Sequence, residues 1–318
     1  MPLDPAINQM FAAMVEAGRP ALSAGSPAEA RALTAASRAA LGHGPDLYQV
    51  KALRIPTRSG SIGARLLRPT EQVEGLLVYL HGGGWVVGEL DDYDTMARTL
   101  AARSHCALLL PDYRLAPEHR FPASLEDTED AVTWAAAHIA ELAGASVPLL
   151  VGGDSAGANL ATVALHALAG RIKVAGQLLV YPVTDADFTR DSYLHCSDGM
   201  QLTRADMQWF FAHYAPPALH GDPRISPLRQ PTHRGLPPTA VFTAECDVLR
   251  DEGEAYAARL AEAGVAVTTR RFESLPHGFI RLHNLVDAAD QALSTIAAGL
   301  AGLADRAGRA ERAGSARA

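Results

Sequence analysis

From about residue 48 the chain alternates short apolar runs with longer stretches whose apolar groups recur every three or four positions. That alternation of period predicts an α/β fold with a mostly parallel sheet flanked by helices. The runs predict eight strands, at Gln49–Ile55, Ser61–Leu67, Gly75–Leu80, Cys106–Leu110, Leu149–Gly152, Gln177–Tyr181, Ala240–Ala244 and Val265–Phe272. The third to sixth are nearly all apolar, as central strands covered on both faces must be. The first two alternate and predict an antiparallel entry hairpin that turns at Arg58-Ser59-Gly60. Helical spacing appears at Thr95–Arg103, Leu125–Leu142, Ser155–Ala169, Glu252–Ala263 and Leu285–Leu303.

Two segments break this rhythm. Residues 1–45 predict two alanine-rich amphipathic helices, and residues 185–235 separate the sixth and seventh strands by far more than an ordinary crossover. Within the second, Leu202–Tyr214 is helical and aromatic-rich, and Pro216, Pro217, Pro223 and Pro227 follow it. Both segments predict a cap over the strand ends, which divides the core into residues 46–184 and 236–303. Residues 304–318, rich in Ala, Gly and Arg with no core-facing stripe, predict a structureless tail.

Composition narrows the field. A net charge of −7 leaves no basic stripe, which argues against nucleic acid as a partner. No apolar stretch approaches the ~18 residues of a membrane span. Cys106, Cys196 and Cys246 lack metal or redox spacing, and Cys106 and Cys246 in apolar runs predict buried thiols. Met1-Pro2-Leu3-Asp4 has no basic region ahead of an apolar one, so no secretory signal and a cytoplasmic location are expected.

The chemistry centres on Gly153-Asp154-Ser155-Ala156-Gly157, which follows the apolar run Val147–Val151 and precedes a helical pattern. Strand, tight turn with serine at the tip, then helix is the geometry that exposes a hydroxyl for attack. A hydroxyl alone is a poor nucleophile, so a base, an acid and an oxyanion hole must lie elsewhere. Leu76–Leu80 runs into His81-Gly82-Gly83-Gly84-Trp85, where glycines let backbone amides approach a ligand closely. With the amide after the nucleophile, Ala156, this loop would hold an oxyanion. A dinucleotide loop fits poorly, because the third glycine is misplaced and no helix opens there. Of twelve histidines, His277 is the expected base, because it lies late, in the loop just after the last predicted strand, as Ser–Asp–His order requires. His81 is expected to fix the glycine loop. Asp247, in the turn after Thr239–Ala244, is the favoured acid over Asp251 and Glu245. Asp154 is expected to stabilise the turn. No His-Glu-x-x-His or compact histidine cluster points to a metal, and no cofactor is expected.

With these residues in place, the chain resembles the hormone-sensitive-lipase-like carboxylesterases of the α/β-hydrolase superfamily, in the branch with a Gly-Asp-Ser-Ala-Gly elbow. The motifs are His81–Trp85, Asp112–Glu118, the elbow, Ser226-Pro227-Leu228, Asp247–Glu252 and His277-Gly278-Phe279. The resemblance implies an α/β-hydrolase fold with a helical cap and a serine carboxylesterase acting on short- to medium-chain esters. It implies Ser155, Asp247 and His277 as the triad and Gly82, Gly83 and Ala156 as oxyanion donors. Asp112, Arg114 and Glu118 would form a structural network beneath the site. Val248 stands where the family often has proline, in a turn whose backbone region valine can adopt. Trp85, Tyr193, Met200 and Leu202 are expected to line the substrate pocket, with Phe210, Leu249, Phe279 and Ile280. The family also suggests a homodimer through Val265–Phe272. Two alternatives stay open: an amidase or lactonase with the same triad, and a non-catalytic receptor on the same scaffold.

Overall fold

A strand that is apolar at every position needs helices on both faces, and the centre of the sheet meets that demand. The computed structural model describes residues 2–197 and 199–315. Its strands are β1 (Gln49–Thr57), β2 (Gly60–Arg68), β3 (Gly75–Leu80), β4 (Cys106–Pro111), β5 (Leu149–Asp154), β6 (Gly176–Val180), β7 (Thr239–Cys246) and β8 (Val267–Pro276). They form one eight-stranded sheet in the order β1-β2-β4-β3-β5-β6-β7-β8. Only the β1–β2 and β2–β4 pairs are antiparallel, so the fold is the mostly parallel α/β sheet that the periodicity predicts. Every residue of β3 to β7 is buried.

The helices are α1 (Pro5–Glu16), α2 (Pro27–Ala36), α3 (Arg38–Leu41), α4 (Leu90–Ser104), α5 (Ala123–Ala137), α6 (Ile139–Ala143), α7 (Ala156–Leu168), α8 (Asp191–His195), α9 (Arg204–Tyr214), α10 (Arg250–Glu262) and α11 (Asp287–Ser315). The period of two in β3 sorts its side chains between two cores. Leu76, Val78 and Leu80 join Val132 of α5, Leu160 and Val163 of α7 and Leu260 of α10. Leu77 and Tyr79 join Met96 and Leu100 of α4 and Leu293, Ile296 and Leu300 of α11. Among the described residues, no helix is long and apolar enough to cross a membrane.

Three helix boundaries differ from the periodicity. Helix α4 begins at Leu90 rather than Thr95, because Glu89 and Asp92 form a reciprocal cap over a first turn too acidic to show an apolar stripe. The predicted helix over 125–142 breaks at His138 into α5 and α6, where the imidazole Nδ1 bonds the Trp134 carbonyl at 2.8 Å. Helix α11 continues through Ser315, where a structureless tail from Ala304 was expected. Its buried positions run Ala289, Leu293, Ile296, Leu300, Leu303 and Ala304 at helical spacing, a stripe in which small alanines stand for larger apolar groups. Residues 316–318 lie outside the described residues.

The two irregular segments are held to the core by charge. Arg31 of α2 bonds the Val86 carbonyl at 2.8 Å and pairs with Glu118 at 2.7 Å. Arg38 pairs with Asp92 and Glu89. The Ser23 amide donates to Asp206 of α9 at 2.9 Å, which links the segments to each other. Glu252 of α10 anchors the start of the second: its Oε1 accepts the amides of Thr184 at 2.7 Å and Asp185 at 3.2 Å. Asp185 in turn holds Arg190 and Arg229.

Two stability predictions follow from this packing. Ala304→Asp buries an unpaired charge and should lower Tm by on the order of 5 °C or more; a shift under about 1 °C would mean the helix end is not packed. Burial pushes the Glu252 carboxyl up to about 8 from the ordinary 4.5, against the pull of the Thr184 and Asp185 amides. The folded state therefore keeps this proton longer than the unfolded chain, so its stabilising contribution is whole below pH 4.5 and is lost as pH rises towards 8. Glu252→Gln should flatten the decline between about pH 6 and 8 by on the order of 2 kcal/mol in urea denaturation. Parallel curves for the two proteins would contradict this.

Candidate active site

Ser155 sits between β5 and α7 with φ 54° and ψ −121°, a conformation that L-residues rarely adopt. The surroundings hold it there. Its amide donates to the Val180 carbonyl of β6 at 2.9 Å. A Cβ on either Gly153 or Gly157 would collide with the Leu80 carbonyl at the end of β3. Glycine on both sides of the serine thus lets β3 press against the turn, and the glycine loop that follows β3 is carried to the serine.

The carboxyl ends of neighbouring strands supply the partners, as open parallel sheets generally do. Asp247 directly follows β7 and His277 directly follows β8. His277 Nε2 lies 3.0 Å from Ser155 Oγ, and Nδ1 lies 2.8 Å from Asp247 Oδ2. The Asp247 side chain is wholly buried, and its Oδ1 accepts the Leu249 amide at 2.9 Å. An ionised carboxylate can only accept, so the imidazole donates through Nδ1 and its Nε2 is left to accept from the Ser155 hydroxyl. The rival acids are engaged elsewhere. Asp251 accepts the Ser192 amide at 2.7 Å and Glu245 the Ser274 amide at 3.1 Å.

The glycine loop differs from expectation at one donor. The Gly82 amide donates to Asp154 Oδ1 at 3.0 Å, so it is not free to meet an oxyanion. The next two amides, Gly83 and Gly84, donate no hydrogen bond to the described residues. Asp154 is more than a turn residue, since the same oxygen accepts the Tyr79 hydroxyl at 2.8 Å. Burial pushes its carboxyl up to about 6; the Tyr79 hydroxyl, His277, the Gly82 amide and Arg281 oppose that rise. His81 does brace the loop. Its Nδ1 bonds the Gly82 carbonyl at 2.7 Å, its ring stacks on Tyr113 at 4.4 Å, and burial pushes it down to about 4 and so keeps it neutral.

The pocket candidates separate. Phe210 packs on Gly84, where a Cβ would strike its ring. Trp85 is buried and stacks on Tyr214 at 4.2 Å. Tyr193, Leu202 and Leu249 are buried in the same core. Phe279 and Ile280 belong to the opposite core, with Phe279 edge-on to Phe272. Of the candidates, Met200 lines a cavity of about 670 Å³ between α1, α2 and residues 199–206, which extends to Gly278 and Arg281 beside His277. The expected Asp112–Arg114–Glu118 network is instead separate contacts: Arg114 grips buried Asp127, while Glu118 holds Arg31.

Three neighbours of the site escaped sequence reasoning: Tyr79, Tyr181 and Arg281. Tyr181 follows β6 with φ 35° and its ring lies 4.4 Å from that of His277. The available signal was position, since both tyrosines stand at the carboxyl ends of the apolar strands on either side of β5. Among the described residues, no group of three or more His, Cys, Asp or Glu side chains is placed to hold a metal ion.

Comparison with known proteins identifies the family of the fold. The profile of the α/β hydrolase fold family matches residues 77–281. An ethyl acetate hydrolase of Pseudomonas putida is 38% identical over 78% of this chain and 81% of its own length. The carboxylic ester hydrolase LipN of Mycobacterium tuberculosis is 40% identical over 76% of this chain and 67% of its own. The structure of a hyperthermophilic esterase from the archaeon Pyrobaculum calidifontis superposes with a TM-score of 0.89 at 34% identity, covering 96% of this chain and 99% of that one. The chain belongs to the α/β-hydrolase family, among the hormone-sensitive-lipase-like carboxylic ester hydrolases.

Proposed function

We propose that this carboxylesterase hydrolyses short- to medium-chain esters through an acyl-enzyme on Ser155. The observation that carries the reading is the unbroken hydrogen-bonded line from Ser155 Oγ through His277 to buried Asp247. Ser155 Oγ attacks the ester carbonyl as His277 Nε2 takes its proton. Asp247 holds the tautomer and stabilises the imidazolium without taking the proton itself. The oxyanion rests on the Gly83, Gly84 and Ala156 amides, each worth about 3 kcal/mol of barrier in related chemistry. His277 then protonates the leaving alcohol, and a water activated by the same imidazole releases the acid.

Residues 1–45 and 185–235 act in this reading as a cap that shields the serine from bulk water; the serine is only 5% exposed. Among the described residues Cys106, Cys196 and Cys246 form no disulfide, which suits a reducing compartment, and a cytoplasmic location is proposed. Edge strand β8, exposed over Thr268–Arg271, offers a surface for a homodimer. Ser155→Ala should lower kcat for p-nitrophenyl butyrate by roughly three or more orders of magnitude. A loss under about tenfold, measured with the protein still folded, would remove Ser155 from the mechanism.

A further inference from the structure

The cavity that reaches Gly278, the residue after His277, is lined mainly by apolar groups, including Met10, Phe11 and Met14 of α1, Leu33 of α2, and Met200. Three charged side chains reach it: Arg19, Asp206 and Arg281. Asp206 is satisfied, since its oxygens accept the Ser23 amide and the Thr203 amide and hydroxyl. Arg19 is exposed and bonds the Leu33 carbonyl at 3.3 Å. Arg281 is different. Its Nη2 reaches Ser37 Oγ at 3.2 Å, and its guanidinium lies 5.2 Å over the Tyr93 ring. Its Nε is buried without a hydrogen-bond partner, and among the described residues no carboxylate pairs with it.

Among the described residues, Arg68 and Arg204 also carry a buried Nε without a partner, but neither lines this cavity, and other half-buried arginines hold carboxylates. Arg31, Arg38, Arg65, Arg114 and Arg190 each hold a carboxylate within 2.8 Å. Arg281 also stands close to the chemistry. It lies on the turn Phe279–Leu282 that follows His277, and its charge lowers the proton affinity of both Asp154 and His81.

We propose that this cavity receives the acyl chain of the ester and that Arg281 binds a carboxylate at the far end of that chain. The substrate class is then half-esters of aliphatic dicarboxylic acids, hydrolysed by water to the diacid and the alcohol. This rests on the esterase reading above and adds the substrate's charge to it. The methionines and Leu33 contact the methylene chain, which needs no polar partner. A carboxylate entering the same apolar space must be hydrogen-bonded or it stays in water. The Arg281 guanidinium lines the cavity without a carboxylate of its own, and its planar donors match two carboxylate oxygens. A neutral ester offers it no such partner.

The test compares p-nitrophenyl hydrogen adipate with p-nitrophenyl hexanoate, equal in chain length and different in charge. In Arg281→Met the ratio of their kcat/KM values should fall roughly tenfold or more, through KM of the half-ester, as the loss of one charge-assisted hydrogen bond implies. Arg281→Lys should recover part of that ratio. If Arg281 only ties the cap to the core, both esters decline together and the ratio holds, which overturns the proposal. Calorimetric titration of Ser155→Ala with monomethyl adipate reads the same contact without turnover. Binding should weaken roughly tenfold or more when Arg281→Met is added, and equal affinities would overturn the proposal. A wild-type protein that hydrolyses neither ester counts against the esterase reading, while the titration still decides on Arg281.

Discussion

The structure depends on one close backbone approach, where the end of β3 presses against the turn that carries Ser155. Gly153 and Gly157 leave no side chain between that turn and the Leu80 carbonyl. A methyl group at either position would have to move a strand buried on both faces, and cores resist such displacement. The contact does two things. It holds Ser155 at a positive φ that an isolated chain would abandon, and it fixes the glycine loop at a set distance from the hydroxyl. Ser155 and the start of the glycine loop are thus placed by the sheet itself.

Buried carboxyl groups then tie the remaining pieces together. Asp154 draws the Gly82 amide and the Tyr79 hydroxyl onto one oxygen, which fixes the start of the glycine loop to the turn that carries the serine. Asp247, wholly buried, takes the Leu249 amide on one oxygen and His277 on the other. Glu252 holds the start of the second irregular segment through two amides. Each has left water and is compensated by donors that fix its direction. Burial disfavours the charge of Asp154 and Glu252, and both carboxyls are pushed up by it. The neutral His81 imidazole beside them follows from the same lack of water.

Much of this was legible in the sequence because it is local. Apolar runs mark strands, and a serine between glycines at a strand end marks a strained turn. Asp247 and His277 could be chosen because each follows a strand of the same parallel sheet, and the structure brings both to Ser155. What was not legible depends on contacts across the fold. Nothing in His81–Trp85 shows that Gly82 turns its amide away, since its acceptor lies 72 residues later at Asp154. The buried stripe of α11 ends at Ala304, and no described residue beyond it is buried, so its last turns left no apolar pattern to read. Arg281 reads as one more polar residue in a surface-like turn until α1, α2 and residues 199–206 enclose it. The pocket candidates suffered most, because periodicity gives a side chain's face and says nothing of which segment covers it.

The account stands or falls on a Ser155 hydroxyl made nucleophilic by His277. The direct measurement is the intact mass of the wild-type protein after exposure to an alkyl fluorophosphonate, followed by peptide mapping of the modified site. One adduct per chain, on the peptide containing Ser155, is the predicted result. An unmodified protein, or an adduct on another residue with Ser155 untouched, would contradict it.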